Sequence, residues 1–148
     1  MSAADEEFAI HSLAGLPDAQ LRQLAELYQL AGFTDDGDEP LLWLNAVLSG
    51  SLLCVGAFRR DRLVGFGRAL GDGVSDAYLQ DIVVHADFRG RGLGRKIVTF
   101  LIAELRKTGV SWIGLVAVPG MENFYRKLGF VELAGHTPMR LAAENRAL

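Results

Sequence analysis

Apolar positions along this chain recur in two periods, and the change of period marks the elements. Phe8-Ala9-Ile10-His11 reads as a short first strand. After Pro17-Asp18, residues Leu21, Leu24, Leu27, Tyr28 and Ala31 recur three and four apart, as one face of a helix does. Gly32 is a natural stop for it. An acidic stretch, Phe33 to Pro40 with Asp35, Asp36, Asp38 and Glu39, separates it from a second helix over Leu41–Leu48 that ends at Ser49-Gly50. From Ser51 the pattern is that of strands. Ser51–Phe58 and Leu63–Leu70 flank the polar turn Arg59-Arg60-Asp61-Arg62 as a hairpin, and Gly71-Asp72-Gly73 turns into a strand ending at Val84. The next helix carries two rows at i, i+4: Ile97, Leu101 and Leu105, then Val98 and Ile102, which give a broad stripe to set against a sheet. Gly109 ends it. Ser111–Val118 predicts a further buried strand, broken by Pro119-Gly120. A short helix over Met121–Leu128 stops at Gly129, and Phe130–Leu133 and Pro138–Leu141 read as two closing strands. The expectation is one α/β (α+β) domain over residues 1–148. Its central sheet is mixed, mostly antiparallel with one parallel crossover, and is flanked by helices.

Composition narrows the class. Of 148 residues half are hydrophobic and 22% are charged, as in a folded globular chain. The net charge of −3 argues against nucleic acid as a partner, because such binders carry a basic surface. The single cysteine, Cys54, has no partner for an internal disulfide, which points to a reducing, cytoplasmic setting. Its apolar neighbours make it a buried small residue rather than a reactive thiol. The acidic N-terminus lacks the basic and apolar regions of a signal peptide. No apolar run approaches the ~20 residues that span a bilayer, so no membrane is expected. His11, His85 and His136 are scattered, and no cluster has metal-ligand spacing; no metal is expected.

The chemistry concentrates in Arg89-Gly90-Arg91-Gly92-Leu93-Gly94, between the strand ending at Val84 and the helix that starts near Leu93. Strand, glycine-rich turn and helix together aim backbone N–H groups and a helix dipole at a phosphate. A P-loop needs Lys then Ser or Thr after its last glycine, but Arg95-Lys96-Ile97 follows here. The dinucleotide fingerprint counted from Gly90 meets Arg95 where its third glycine belongs. Both nucleotide motifs fail.

The spacing Arg89-x-x-Gly92-x-Gly94 resembles the acetyl-CoA loop of the GNAT superfamily of N-acetyltransferases. Val83-Val84 with Arg89 is similar to that family's approach to the loop. Phe124-Tyr125-Arg126-Lys127-Leu128-Gly129-Phe130, roughly 30 residues downstream, resembles its second hallmark, Phe-Tyr-x-x-x-Gly-Phe. The predicted element order also looks like this fold over nearly the whole chain. The resemblance implies acetyl-CoA as co-substrate, bound by Arg89, Gly90, Arg91, Gly92, Leu93, Gly94 and Arg95, with Arg89, Arg91, Arg95 and Lys96 giving charge for its pyrophosphate or 3′-phosphate. It further implies that the pantetheine arm lies along Ile82-Val83-Val84 and enters through a splay between this strand and the next. Where many members carry a cofactor-contacting Asn at the end of the fifth strand, this chain has Val118; Asn123 is the later candidate for that contact.

The implied reaction is direct attack of a neutral amine on the thioester in a ternary complex, with the oxyanion held by a backbone N–H of the fourth strand. Tyr125 stands where the family's general acid stands. Asp81 is the candidate base, directly or through a water, or else a polar partner. A regular strand sends it to the face opposite Gln80 and Ile82, and a bulge changes that facing. Glu122 is a second candidate. The acceptor expected is a small-molecule amine, which the acidic stretch would attract if cationic; peptide N-termini and lysines come behind it. The family often dimerises, so a homodimer is a further expectation. Two other classes stay open on the same fold: a non-catalytic acetyl-CoA sensor and a protein-interaction module.

Overall fold

A computed structural model of the chain describes residues 7–34 and 41–143. The acidic residues Asp35, Asp36, Asp38 and Glu39 lie outside the described residues. The chain groups into two compact units, one up to Leu115 and one from Val116 onward.

In the first unit the sheet is five-stranded, in sequence order: β1 (Ala9–Ser12), β2 (Leu53–Arg59), β3 (Arg62–Gly71), β4 (Asp76–Val84) and β5 (Trp112–Gly114). The first three pairings are antiparallel and the β4–β5 pairing is parallel. That parallel step is the crossover expected from the sequence. It runs through a turn of 3-10 helix (Ala86–Phe88) and α3 (Leu93–Lys107), after the earlier α1 (Asp18–Leu30) and α2 (Leu41–Gly50).

Alternation along β3 assigns the helices to the two faces. Phe66 is fully buried and joins Leu21, Leu24, Tyr28 and Leu44 of α1 and α2 in one cluster. Gly65 and Gly67, its neighbours, point the other way. There a Cβ on Gly65 would stand 2.9 Å from Ile97 Cδ1, and one on Gly67 2.8 Å from Ile97 Cγ2. The bare strand lets α3 lie close on the sheet, with Ile97, Val98, Leu101 and Leu105 buried beneath it.

Two expectations fail. The strand read over Ser111–Val118 forms only at Trp112–Gly114, and Val116 and Val118 are exposed. In the second unit α4 covers Glu122–Arg126 and ends in a turn at Gly129, whose φ is 98°. Phe130–Leu133 and Pro138–Leu141 are not strands, and Val131, Leu133, Met139 and Leu141 are exposed. An apolar run becomes a strand only where a ladder takes up its backbone groups, and the described residues of this unit form none.

Candidate active site

The loop after β4 is built to turn backbone donors outward. His85 closes the strand, its N–H donating to Val64 O at 2.8 Å. Its Nδ1 accepts from Asp87 N–H at 3.1 Å, which fixes the 3-10 turn. Arg89 folds back, its Nε donating to Val84 O at 3.2 Å. Gly90 and Gly92 then take φ of 75° and 78°. Among the described residues nothing lies within 4 Å of a Cβ at either, so the left-handed backbone is what calls for glycine. Gly94 differs, lying in the first turn of α3.

Gly92 is the N-cap of α3 and brings no side chain to cap it. The first intrahelical bond is Lys96 N–H to Gly92 O at 3.1 Å. The N–H groups of Leu93, Gly94 and Arg95 therefore have no acceptor within the helix. Three donors without an acceptor in the helix, the dipole of a 15-residue helix, a first turn without acids and the cations Arg95 and Lys96 together suit a polyanion such as the pyrophosphate of CoA. Leu93 is buried, so its side chain belongs to the core. Arg91 has local partners: its guanidinium lies over Phe88 (5.6 Å) and Phe8 (5.8 Å) and 3.7 Å from Glu7.

Beside this loop lies the free part of β4. The ladder to β5 holds only from Asp76↔Trp112 to Tyr78↔Gly114. Leu79 to Val84, including Ile82 and Val83, run on past its end, as a splay between the two strands requires. Because His85 N–H bonds to β3, antiparallel alternation turns Val84 N–H toward the opposite edge.

Asp81 sits in a bulge. Pairing passes from Phe66↔Val83 to Arg68↔Gln80, so Asp81 and Ile82 together face Gly67. Asp81 has φ of 56°, a conformation that costs a non-glycine residue about 1–2 kcal/mol. Its Oδ2 accepts from Tyr28 Oη at 2.8 Å and from Arg68 Nε at 2.7 Å. Arg68 Nη1 also donates to Ser51 Oγ at 3.3 Å. Burial, then the adjacent Asp81 charge, hold the Tyr28 phenol well above its ordinary pKa, so it remains a donor. Phe33 and Trp43, both partly exposed, meet the Tyr28 ring edge-on at 5.4 and 6.1 Å.

Sequence reasoning named Asp81 and overlooked Tyr28 and Arg68. A signal was present for one of them: Arg68 is the only charged residue in the run Leu63–Leu70. Tyr28 gave none, being one apolar-face position among several.

In the second unit, the Tyr125 ring lies edge-on between Phe124 (4.9 Å) and Phe130 (5.7 Å). Burial pushes its phenol pKa up. Phe130 N–H returns to Tyr125 O at 3.1 Å, which the turn at Gly129 makes possible. The Asn123 side chain accepts from Arg126 Nη1 at 2.8 Å, and Arg126 also pairs with Glu132. Glu122 opens α4. His11 stacks on Phe58 and His85 is held by Glu26, so neither is placed as a base. Among the described residues no three His, Cys, Asp or Glu side chains are grouped for a metal, and no helix is long and apolar enough to cross a membrane.

Comparison with known proteins agrees with this geometry. The model of the Acetyltransferase (GNAT) family matches residues 7–130. An uncharacterized N-acetyltransferase, ycf52, from Porphyra purpurea is 38% identical over 113 residues, which are 74% of this chain and 65% of that protein. The chain thus spans just under two-thirds of that relative's length. Serotonin N-acetyltransferase 2, chloroplastic, from Oryza sativa is 51% identical over 69 residues, 47% of this chain and 34% of the relative. Among solved structures, a GNAT-family acetyltransferase from Streptococcus pneumoniae superposes with a TM-score of 0.75 at 26% identity, covering 93% of this chain and 98% of the other. Sheet order, the glycine loop at the head of α3 and these likenesses lead to one conclusion: the chain belongs to the GNAT acetyltransferase family.

Proposed function

We propose that this protein is an N-acetyltransferase that moves the acetyl group of acetyl-CoA to a small primary amine by direct attack in a ternary complex. The observation that carries this reading is the uncapped, cation-flanked start of α3 beside the stretch of β4 that has outrun its ladder to β5. Acetyl-CoA supplies the activated thioester. The open N–H groups of Leu93, Gly94 and Arg95, reached through the turns at Gly90 and Gly92 and aided by Arg89, Arg91 and Arg95, would take the pyrophosphate. Ile82, Val83 and Val84 would receive the pantetheine arm as an added strand, with Val84 N–H turned to that edge to meet the oxyanion. Asn123 is the further contact in this reading. The amine nitrogen bonds to the acyl carbon, the carbon–sulfur bond breaks, and Tyr125 gives its proton to the leaving thiolate.

Two parts suit Asp81: base for the amine, or anchor of the strand. Its two hydrogen bonds on Oδ2 favour the anchor, and the amine's proton then leaves to solvent. An aromatic body on the acceptor is favoured by Phe33 and Trp43, which offer apolar surface against Tyr28 beside Asp81. The name of the rice relative agrees with that choice. A cytoplasmic place and a homodimer belong to the same proposal. The decisive experiment is a panel of aromatic amines, aliphatic diamines, amino sugars and peptides incubated with acetyl-CoA, reading released thiol. Turnover of small amines, aromatic ones foremost, is expected. Binding of acetyl-CoA without thiol release from any member would favour the sensor instead.

A further inference from the structure

The bulge at Asp81 is held from two elements. Tyr28 reaches it from the last turn of α1, Arg68 from the adjoining strand β3, and both donate to the same carboxylate oxygen. The Arg68–Asp81 pair is largely shielded from solvent, its side chains 16% and 18% exposed. Arg68 extends the chain of bonds to Ser51 Oγ, which donates in turn to Val47 O in α2 at 2.6 Å. One carboxylate therefore ties β4 to β3, to α1 and to the junction of α2 with β2.

What the bulge controls is the direction of the backbone beyond it. Side chains and N–H groups alternate along a strand, so removing one extra residue would turn each group from Ile82 to Val84 to the opposite side. With the bulge in place, Val84 N–H faces the edge that β5 has left. Asp81 would otherwise relax from its left-handed φ toward the extended region that β4 adopts elsewhere. We propose that Arg68 and Tyr28 are positioning residues for acyl transfer: by gripping Asp81 Oδ2 they keep the bulge, and with it the aim of the Ile82–Val84 backbone. This rests on the acetyltransferase reading above, but its structural half does not.

The test uses Arg68→Met and Tyr28→Phe in the full chain, with Asp81→Asn and Asp81→Ala for comparison. Hydrogen exchange of the Val83 and His85 amides, which face β3, is read first, because it needs no turnover. Exchange at least tenfold faster in Arg68→Met and Tyr28→Phe, with the α3 amides unchanged, is expected; wild-type exchange in both variants overturns the proposal. With an amine that turns over, kcat should fall more than tenfold in Arg68→Met while KM for acetyl-CoA moves less than threefold. Asp81→Asn, which still offers one oxygen to both donors, should lose less than Asp81→Ala and keep the shape of the wild-type pH profile. A hundredfold loss in Asp81→Asn together with a lost acidic limb would make Asp81 the base and overturn the anchor. Should Arg68→Met fail to fold, Tyr28→Phe removes a single hydroxyl and answers the same question. A wild-type chain that acetylates nothing counts against the enzyme reading alone, while the exchange result still decides the positioning role.

Discussion

Tyr125 keeps its proton to higher pH than a free phenol, because burial against Phe124 and Phe130 disfavours the phenolate. For the general acid proposed above, which must arrive protonated, that shift has a definite sign. A pKa raised above the ordinary value of about 10 leaves the acid intact across the range in which the acceptor amine loses its own proton. The rate should therefore climb from about pH 7 to about pH 9.5 as neutral amine accumulates, with no fall due to Tyr125 in that window. Tyr125→Phe should lower kcat by about tenfold or more; a loss smaller than that in steady-state kinetics would remove Tyr125 as the acid. Gly92 poses the complementary case at the donor side. Its φ of 78° is one that alanine adopts only at a cost of about 1–2 kcal/mol. Gly92→Ala should raise KM for acetyl-CoA and lower the denaturation midpoint, and an unchanged KM would show that the loop does not hold the donor. Motif spacing singles out both residues in the sequence. Tyr28 was not legible there, since it lies 53 positions from Asp81 in the chain and only the fold brings it near.

Helices and strands differed in how much of themselves they showed in advance. In α1 and α3 the rows of apolar residues coincide with what is buried: Leu21, Leu24 and Leu27 in one, Ile97, Leu101 and Leu105 in the other. A helix satisfies its own backbone, so its pattern suffices to locate it. A strand depends on a neighbour, and the run Ser111–Val118 could not disclose that its ladder stops at Gly114. The bulge was equally silent, for the run Tyr78–Val84 has no glycine or proline to mark it. Its consequence for α1 can be measured as stability. The folded-state pKa of Tyr28 is raised above the unfolded value, so its neutral phenol contributes stability that is whole below about pH 10. That contribution is lost as pH rises through the folded value. Urea midpoints of the wild type should decline above about pH 10 more steeply than those of Tyr28→Phe; parallel curves would mean that the phenol is not the group responsible.

At the scale of the whole molecule, a net charge of −3 coexists with a local cationic approach to an anion, since Arg89, Arg91, Arg95 and Lys96 fall within eight consecutive residues. The overall charge argues against one partner class, and the local arrangement supports the anionic donor proposed above. The same arrangement separates the readings that remain, because a catalyst and a sensor both bind acetyl-CoA and an interaction module does not. A ligand that binds only the folded chain stabilises it by RT ln(1 + [L]/Kd), about 4 kcal/mol for micromolar affinity at millimolar concentration. For a chain of this size each kcal/mol raises the melting temperature by about 3 °C, so acetyl-CoA should raise it by about 12 °C. Free CoA should give most of that shift, because the pyrophosphate contacts proposed at the head of α3 do not involve the acyl group. Inorganic phosphate should give little, as it lacks the arm that Ile82–Val84 would pair with. A melt in which neither CoA nor acetyl-CoA moves the midpoint would leave the fold of an acetyltransferase with the partner of something else. A melt in which both move it, followed by thiol release from one amine, would separate the enzyme from the sensor.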